Sequence, residues 1–330
     1  MSGTLTASTA ALVVCVTALP CVRAIATRWR IFDDFGPLKI HRRPISRLGG
    51  LGILLGVLAG LAFSNVDPAN ELVWPFLALL LVWFTGLWDD LHGLSPLLRL
   101  FVQFAAGLLL WFGGWGIVLP GEPWLGAPLT CLFVSAFMNA LNWLDGTDGL
   151  AAGVVAVVMV GFIGVGREVG VVVGLLSASV LGSVLGFLFF NFPPALIFMG
   201  ESGSNTLGFL LAFLSFEYYR RTGAPDLQLL VPLSFAALPL GDAALAILRR
   251  LRANRSPFQG DRQHFYDLLL QRGWTPCRVA LSCYSVTATL VLAGWFIHYR
   301  ANSLYILIFA LLIGSLVVVA THLGVLRRPD

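Results

Sequence analysis

An all-α, polytopic membrane protein with about eleven transmembrane helices is the fold class that three features of this 330-residue sequence predict. Mean hydropathy is +0.85 and only 12% of residues are charged, about half the share carried by a soluble domain. Apolar runs close to the length that crosses a bilayer, roughly 20 residues each, fill almost the whole chain. Arg and Lys gather in alternate connections, the asymmetry expected of segments kept on the cytoplasmic side.

The first run, 5–26, lacks a basic segment before it and carries Arg23, Arg28 and Arg30 near its end. That order fits a first transmembrane helix rather than a cleaved signal peptide. Further runs follow at about 48–64, 72–88, 97–113, 126–143, 150–166, 169–190, 205–220, 228–248, 279–297 and 303–324. One set of connections holds Arg28, Arg30, Lys39, Arg42, Arg43 and Arg47, then Arg249, Arg250, Arg252, Arg255, Arg262 and Arg272, with Arg327 and Arg328 at the end. The alternate set holds only Arg167, Arg220, Arg221 and Arg300. The bias places the N-terminus outside, the C-terminus in the cytoplasm, and segments 28–47, 88–97, 142–149, 191–204 and 249–278 on the cytoplasmic face.

The outer connections (SNVDPAN, GGWGIVLPGEP, GREVG, RRTGAPD, HYRAN) are short turns rich in Gly, Pro, Asn and Asp. Long repeats and linkers are missing, so 1–330 is read as one domain. Cys15, Cys21, Cys131, Cys277 and Cys283 form no CxxC pair, which argues against zinc and a disulfide framework. The net charge of +4 reflects topology rather than nucleic-acid binding, because the basic residues sit in particular loops.

The polar residues that topology does not explain fall in the cytoplasmic segments. GLWDDLHGLSP has adjacent Asp89 and Asp90 at the end of a span; such neighbours repel and are costly near a bilayer unless a cation binds them. NALNWLDGTDGL adds Asp145 and Asp148 three apart, with Gly146 and Gly149 to break the helix, and irregular backbone at this depth is tolerated where it lines a cavity. FNFPPALIFMGESGSNTLG supplies Glu201 in a Gly- and Ser-rich turn that opens a helix, a geometry that offers backbone N–H groups to an anion such as phosphate. Any one acid alone could cap a helix or pair with a loop Arg. Five acids on three segments of one face point instead to a site for Mg²⁺, with Mn²⁺ as the alternative ion, since hard cations take carboxylate and phosphate oxygens. The segments KIHRRPISRLGG and LRRLRANRSPFQGDRQHFYDLL could simply meet anionic lipid. His41, and Asp261 beside His264, are better explained where a pyrophosphate is bound and cleaved.

Taken in order, these segments resemble the polyprenyl-phosphate N-acetylhexosamine-1-phosphate transferases, from about residue 33 to 275. PLKIHRRPISRLGG is similar to the family's first basic loop, GLWDD to its paired Asp, NALNWLDGTDGL to its Asn and Asp signature, FMGESGSNTLG to its third acidic motif and RSPFQGDRQHFYDLLLQRG to its final His loop. Two departures stand out. Glu201 replaces the usual Asp, and His264 is followed by Phe265, Tyr266 and Asp267 instead of further His. The second places the chain nearer the O-antigen-initiating branch than the phospho-N-acetylmuramoyl-pentapeptide transferases, which remain the alternative.

The resemblance implies transfer of a HexNAc-1-phosphate from a UDP-sugar to undecaprenyl phosphate at the bacterial inner membrane, with release of UMP. It assigns Mg²⁺ to Glu201, supported by Asp90 and Asp148, and has Asp89 position or deprotonate the lipid phosphate. Asp145 and Phe198 would hold the uracil, Asp261, His264 and Arg262 the leaving diphosphate side, and Lys39, Arg47 and Asn142 the phosphates or the loop geometry. A proton- or cation-coupled transporter is the competing class, because intramembrane acids often serve that role. Transporter sites lie near the midplane, often between repeats, whereas these acids lie near one surface. The sequence names neither the sugar nor the final glycan, and it allows a homodimer without requiring one.

Overall fold

A computed structural model describes residues 2–29, 31–32, 45–63, 72–119, 121–222, 229–256, 260–300 and 303–326. Among them all regular structure is helical: α1 (Ser2–Trp29), α2 (Gly49–Ala62), α3 (Val73–His92), α4 (Pro96–Phe112), α5 (Pro123–Leu144), α6 (Leu150–Val169), α7 (Val171–Asn191), α8 (Gly200–Thr222), α9 (Leu230–Phe235), α10 (Ala237–Arg252), α11 (Phe265–Gln271), α12 (Pro276–Arg300) and α13 (Ser303–His322). Each apolar run of the sequence is helical. The run 228–248 is not one helix but two, α9 and α10, parted at Ala236. Pro239 has no amide to donate back to Phe235, so the ladder cannot continue through that point. Among the described residues six helices (α1, α3, α5, α6, α7 and α12) contain stretches long and apolar enough to cross a membrane; α2, α4 and the Ile306–His322 part of α13 are apolar but shorter. The chain is a multi-pass membrane protein.

The centre is α8, whose residues from Ser202 to Tyr218 are all buried. Helices α3 and α5 flank it, α2 crosses its start, and α4 closes over α3 and α5. Helices α1, α2 and α7 form a second layer, with α6 between α7 and α12. Small residues set these distances, as expected where lipid supplies no hydrophobic drive between helices. Gly52, Gly56 and Gly60 of α2 lie against Leu19, Ser183 and Ser179, so closely that a Cβ on any of them would clash. At the end of the bundle holding the C-terminus of α8, buried Glu217 accepts from Trp115 Nε1 at 2.7 Å, Arg221 Nε at 2.8 Å and Arg220 Nε at 3.1 Å.

The other end of α8 is where the polar segments converge, and they are helix ends more than loops. Asp89 and Asp90 lie in the last turn of α3, Asn142 in the last turn of α5 and Glu201 in the first turn of α8. The approach of α3 to α8 depends on Gly86, where a Cβ would stand 2.6 Å from Ser202 Cα and 2.9 Å from the Glu201 carbonyl oxygen. Backbone cannot yield as a side chain can, so Gly86→Ala is expected to cost about 1–3 kcal/mol. The detergent-solubilised variant should unfold at a lower temperature than wild type; an unchanged midpoint would show that α3 can move aside freely.

Candidate active site

The first turn of a helix leaves backbone N–H groups without partners and carries partial positive charge. At α8 the anion that meets them is a side chain. Asp90 Oδ1 accepts from Glu201 N at 2.7 Å, and Oδ2 accepts from Ser202 N at 3.0 Å and Ser202 Oγ at 2.6 Å. This corrects the expectation that the GESGS turn offers those amides to a phosphate. Gly200, in the left-handed region at φ +73°, allows the turn: a Cβ there would strike the Arg47 carbonyl oxygen and crowd the Asp90 carboxylate.

Arg99, in the first turn of α4, ties the paired Asp to Glu201. Its Nε lies 2.6 Å from Asp89 Oδ2, its Nη2 3.0 Å from Asp89 Oδ1 and its Nη1 2.9 Å from Glu201 Oε1. Asp89 is 5% exposed and also accepts from Leu94 N at 2.8 Å. Glu201 Oε2 accepts from Asn142 Nδ2 at 2.7 Å and Asn205 Nδ2 at 3.0 Å. Asn142, read as a phosphate or loop-geometry residue, therefore orients the Glu201 carboxylate, and it also donates to Ser204 Oγ at 3.0 Å. Arg99 does not stand out in the sequence because it sits at the head of an apolar run, although a lone cation in such a run is itself a signal.

Between α5 and α6 the chain breaks as the two glycines predict. Gly149 takes φ +73°, its amide donates to Asn191 Oδ1 at 2.9 Å, and its carbonyl accepts from Tyr284 Oη at 2.6 Å. Asp148 Oδ2 accepts from Ala195 N at 2.9 Å, which draws the segment before α8 towards this break. That segment pairs with the end of the first basic loop: Phe198 N donates to Ser46 O at 2.7 Å, and Gly49 N and Gly50 N donate to Phe198 O and Met199 O at 2.9 Å each. Half-buried Phe198 and Arg47 are thereby brought to the same rim. Half-buried Asp145 has its carboxyl held well above the usual carboxylate range, chiefly by burial and then by the charges of Glu201, Asp90 and Asp148, with Arg47 acting in the opposite direction. The four acids thus share one electrostatic field.

The final loop closes the rim from the far side of α5. Asp261 is gripped by two buried arginines: Arg249 Nη2 reaches its Oδ2 at 2.7 Å and Arg250 Nη2 its Oδ1 at 3.0 Å. Burial raises the Asp261 carboxyl, but the arginine hydrogen bonds and charges outweigh it and hold it below the usual range. Arg250 also stacks over Trp143, 4.6 Å from the ring centroid. His264 is 4% exposed, with Nδ1 2.5 Å from Asp242 Oδ2 of α10. Tyr266 donates to Trp143 O at 2.8 Å, and Asp267 accepts from His264 N at 3.3 Å. The residues that stand where further His was expected thus anchor the loop. Arg262 is half-buried beside them. Lys39 and His41 lie outside the described residues.

Among the described residues no three His, Cys, Asp or Glu side chains are close enough to form a ready metal cage. The donor set nevertheless suits Mg²⁺, which is held through one or two carboxylates plus phosphates and water instead of a full protein cage. Mutual repulsion among Asp145, Glu201, Asp90 and Asp148 is the imbalance a divalent cation relieves.

Fold and site define a multi-pass membrane protein with carboxylates and cations brought together at one end of its helices. The family described as Glycosyl transferase family 4 matches residues 72–218, the stretch from α3 to α8. A Bacillus subtilis protein named "Probable undecaprenyl-phosphate N-acetylglucosaminyl 1-phosphate transferase" is 31% identical, over 77% of this chain and 74% of its own. The Mycobacterium tuberculosis decaprenyl-phosphate N-acetylglucosaminephosphotransferase is 31% identical over 94% of this chain and 86% of its own. The Escherichia coli K12 undecaprenyl-phosphate alpha-N-acetylglucosaminyl 1-phosphate transferase is 27% identical over 82% and 77%. The chain belongs to the polyprenyl-phosphate N-acetylhexosamine-1-phosphate transferase family.

The Asp145 carboxyl gives this site a pH signature. With its folded value raised, the native state keeps a proton that the unfolded chain has lost, so stability falls as pH rises through the window above the usual carboxylate range, near 4. With chelator present, Asp145→Asn should match wild type at about pH 4.5 and unfold at a higher temperature at about pH 8. A variant no more stable than wild type at the higher pH would contradict the assignment.

Proposed function

We propose that this protein transfers N-acetylglucosamine-1-phosphate from UDP-GlcNAc to undecaprenyl phosphate, forming a polyprenyl-diphosphate sugar and UMP. It would do so as one transferase domain of the bacterial inner membrane, starting an envelope glycan such as O-antigen. The observation that carries this reading is the convergence of Asp89, Asp90, Asp145, Asp148 and Glu201 at one end of the helices, in a chain whose relatives are named for this transfer. The positive-inside bias supports a cytoplasmic rim and an outer N-terminus, with all eleven apolar runs spanning or dipping into the bilayer. A nucleotide from the cytosol and a phosphate at the membrane surface can meet there.

In the reaction an oxygen of the lipid phosphate forms a bond to the β-phosphorus of the donor, and the α–β anhydride bond breaks with its electrons leaving on UMP. Both reactants are anions, so catalysis is mainly placement and charge neutralisation. Glu201, Asp90 and Asp148 would hold Mg²⁺, or Mn²⁺, which supplies that neutralisation on the diphosphate. The chain's own cations, Arg99, Arg47 and Arg262, lie around the same rim. Phosphate is already largely ionised at neutral pH, and Asp89 is ion-paired with Arg99. We therefore assign Asp89 to positioning Arg99 instead of acting as a base. Asp145 and Phe198 would receive the uracil, and Asp261 would act by bracing the His264 loop through its arginines.

Purified protein with undecaprenyl phosphate and UDP-GlcNAc should release UMP only when Mg²⁺ or Mn²⁺ is present. Glu201→Gln and Asp90→Asn, which keep the side-chain size and remove the charge, should each lower turnover at least about 100-fold while eluting as folded protein. Near-normal turnover in either variant would remove it from the metal site, and metal-independent release would remove the metal.

A further inference from the structure

The α10 residue Asp242 has no place in the motifs read from the sequence, yet it is one of the most buried carboxylates at this end of the molecule, 5% exposed. Its Oδ2 lies 2.5 Å from His264 Nδ1 and its Oδ1 accepts from Phe265 N at 3.2 Å. A carboxylate that already accepts from a backbone amide, and that can only accept when ionised, requires Nδ1 to carry the imidazole proton. The neighbouring Asp261 cannot take over that role: its nearest oxygen is 3.9 Å from Nε2, and both its oxygens are engaged by Arg249 and Arg250. Tyr266 lies parallel to the imidazole, 5.6 Å between centroids and 8° between planes, which limits rotation of the ring.

We propose that Asp242 is a positioning residue for His264, holding the proton on Nδ1 so that Nε2 is the nitrogen presented to the donor phosphates. This rests on the transferase reading for what Nε2 meets; the orientation of the ring stands on the geometry alone. A carboxylate on the far nitrogen of a working imidazole selects the tautomer and orients the ring. An amide in its place would donate to Nδ1 and move the proton to Nε2.

Two measurements test this. In ¹⁵N-histidine-labelled protein, with His264 assigned by difference from His264→Ala, the neutral ring should carry its proton on Nδ1 in wild type and on Nε2 in Asp242→Asn. A wild-type Nε2–H tautomer overturns the proposal whether or not the protein is active. In the UMP-release assay, Asp242→Asn should lower kcat about 10- to 100-fold with donor KM within about threefold. The double variant Asp242→Asn, His264→Ala should be no slower than His264→Ala alone, within about twofold. Losses that multiply would make Asp242 a structural residue independent of His264 and overturn the proposal. An inactive wild type would instead count against the transferase reading and leave the tautomer measurement to decide this one.

Discussion

The Asp90 carboxylate on the first amides of α8 sets the geometry of the site. It joins the end of α3 to the start of α8, buried from Ser202 to Tyr218, and satisfies donors that lipid could not. A charged cap of this kind is worth about 1–2 kcal/mol, but its larger effect is geometric. With α8 held there, Glu201 in its first turn must face Arg99 and Asn142, and the segment before it must run back past Asp148. Gly86 permits the approach of the two backbones, and Gly200 leaves room for the Asp90 carboxylate and the Arg47 carbonyl.

Several acids at this rim are paired with a cation, and Arg99 serves two of them. Asp89 has Arg99, Glu201 has Arg99 and two amides, and Asp261 has Arg249 and Arg250. Asp145 is the exception in kind, with burial and three like charges acting on its carboxyl and Arg47 opposing them. The result is a set of hard oxygen donors oriented in advance, with charge left to be balanced by a cation and a diphosphate. The Arg249 and Arg250 pairs with Asp261 resist rearrangement most, since removing one side of a buried ion pair costs about 3–5 kcal/mol. The opposite end of α8 shows the same device: Glu217 between Trp115, Arg220 and Arg221 fixes the helix where no transfer chemistry is assigned.

Much of this was readable in the sequence. Helices were legible because a bilayer forces every apolar run to satisfy its own backbone, and the motif segments were legible because polar residues in such a chain stand out. Gly146 and Gly149 announced the break between α5 and α6. What could not be read was pairing across the bundle. That Asp90 would occupy the α8 amides, and that Asn142 would serve Glu201, depends on which helix ends meet in space. Arg99 and Asp242 were hidden inside apolar runs, where a single charge was absorbed into the count of a span. The split at Ala236 was missed because hydropathy does not register a missing amide at Pro239.

On the proposed reaction, this end of the bundle moves a sugar together with its phosphate. Donor UDP-GlcNAc carrying a radiolabel on its β-phosphorus tests it directly, with purified protein and undecaprenyl phosphate. The label should pass into the lipid extract in step with sugar, and the released nucleotide should be unlabelled UMP. Label remaining on UDP while sugar enters the lipid would mean transfer of the sugar alone, and would contradict it.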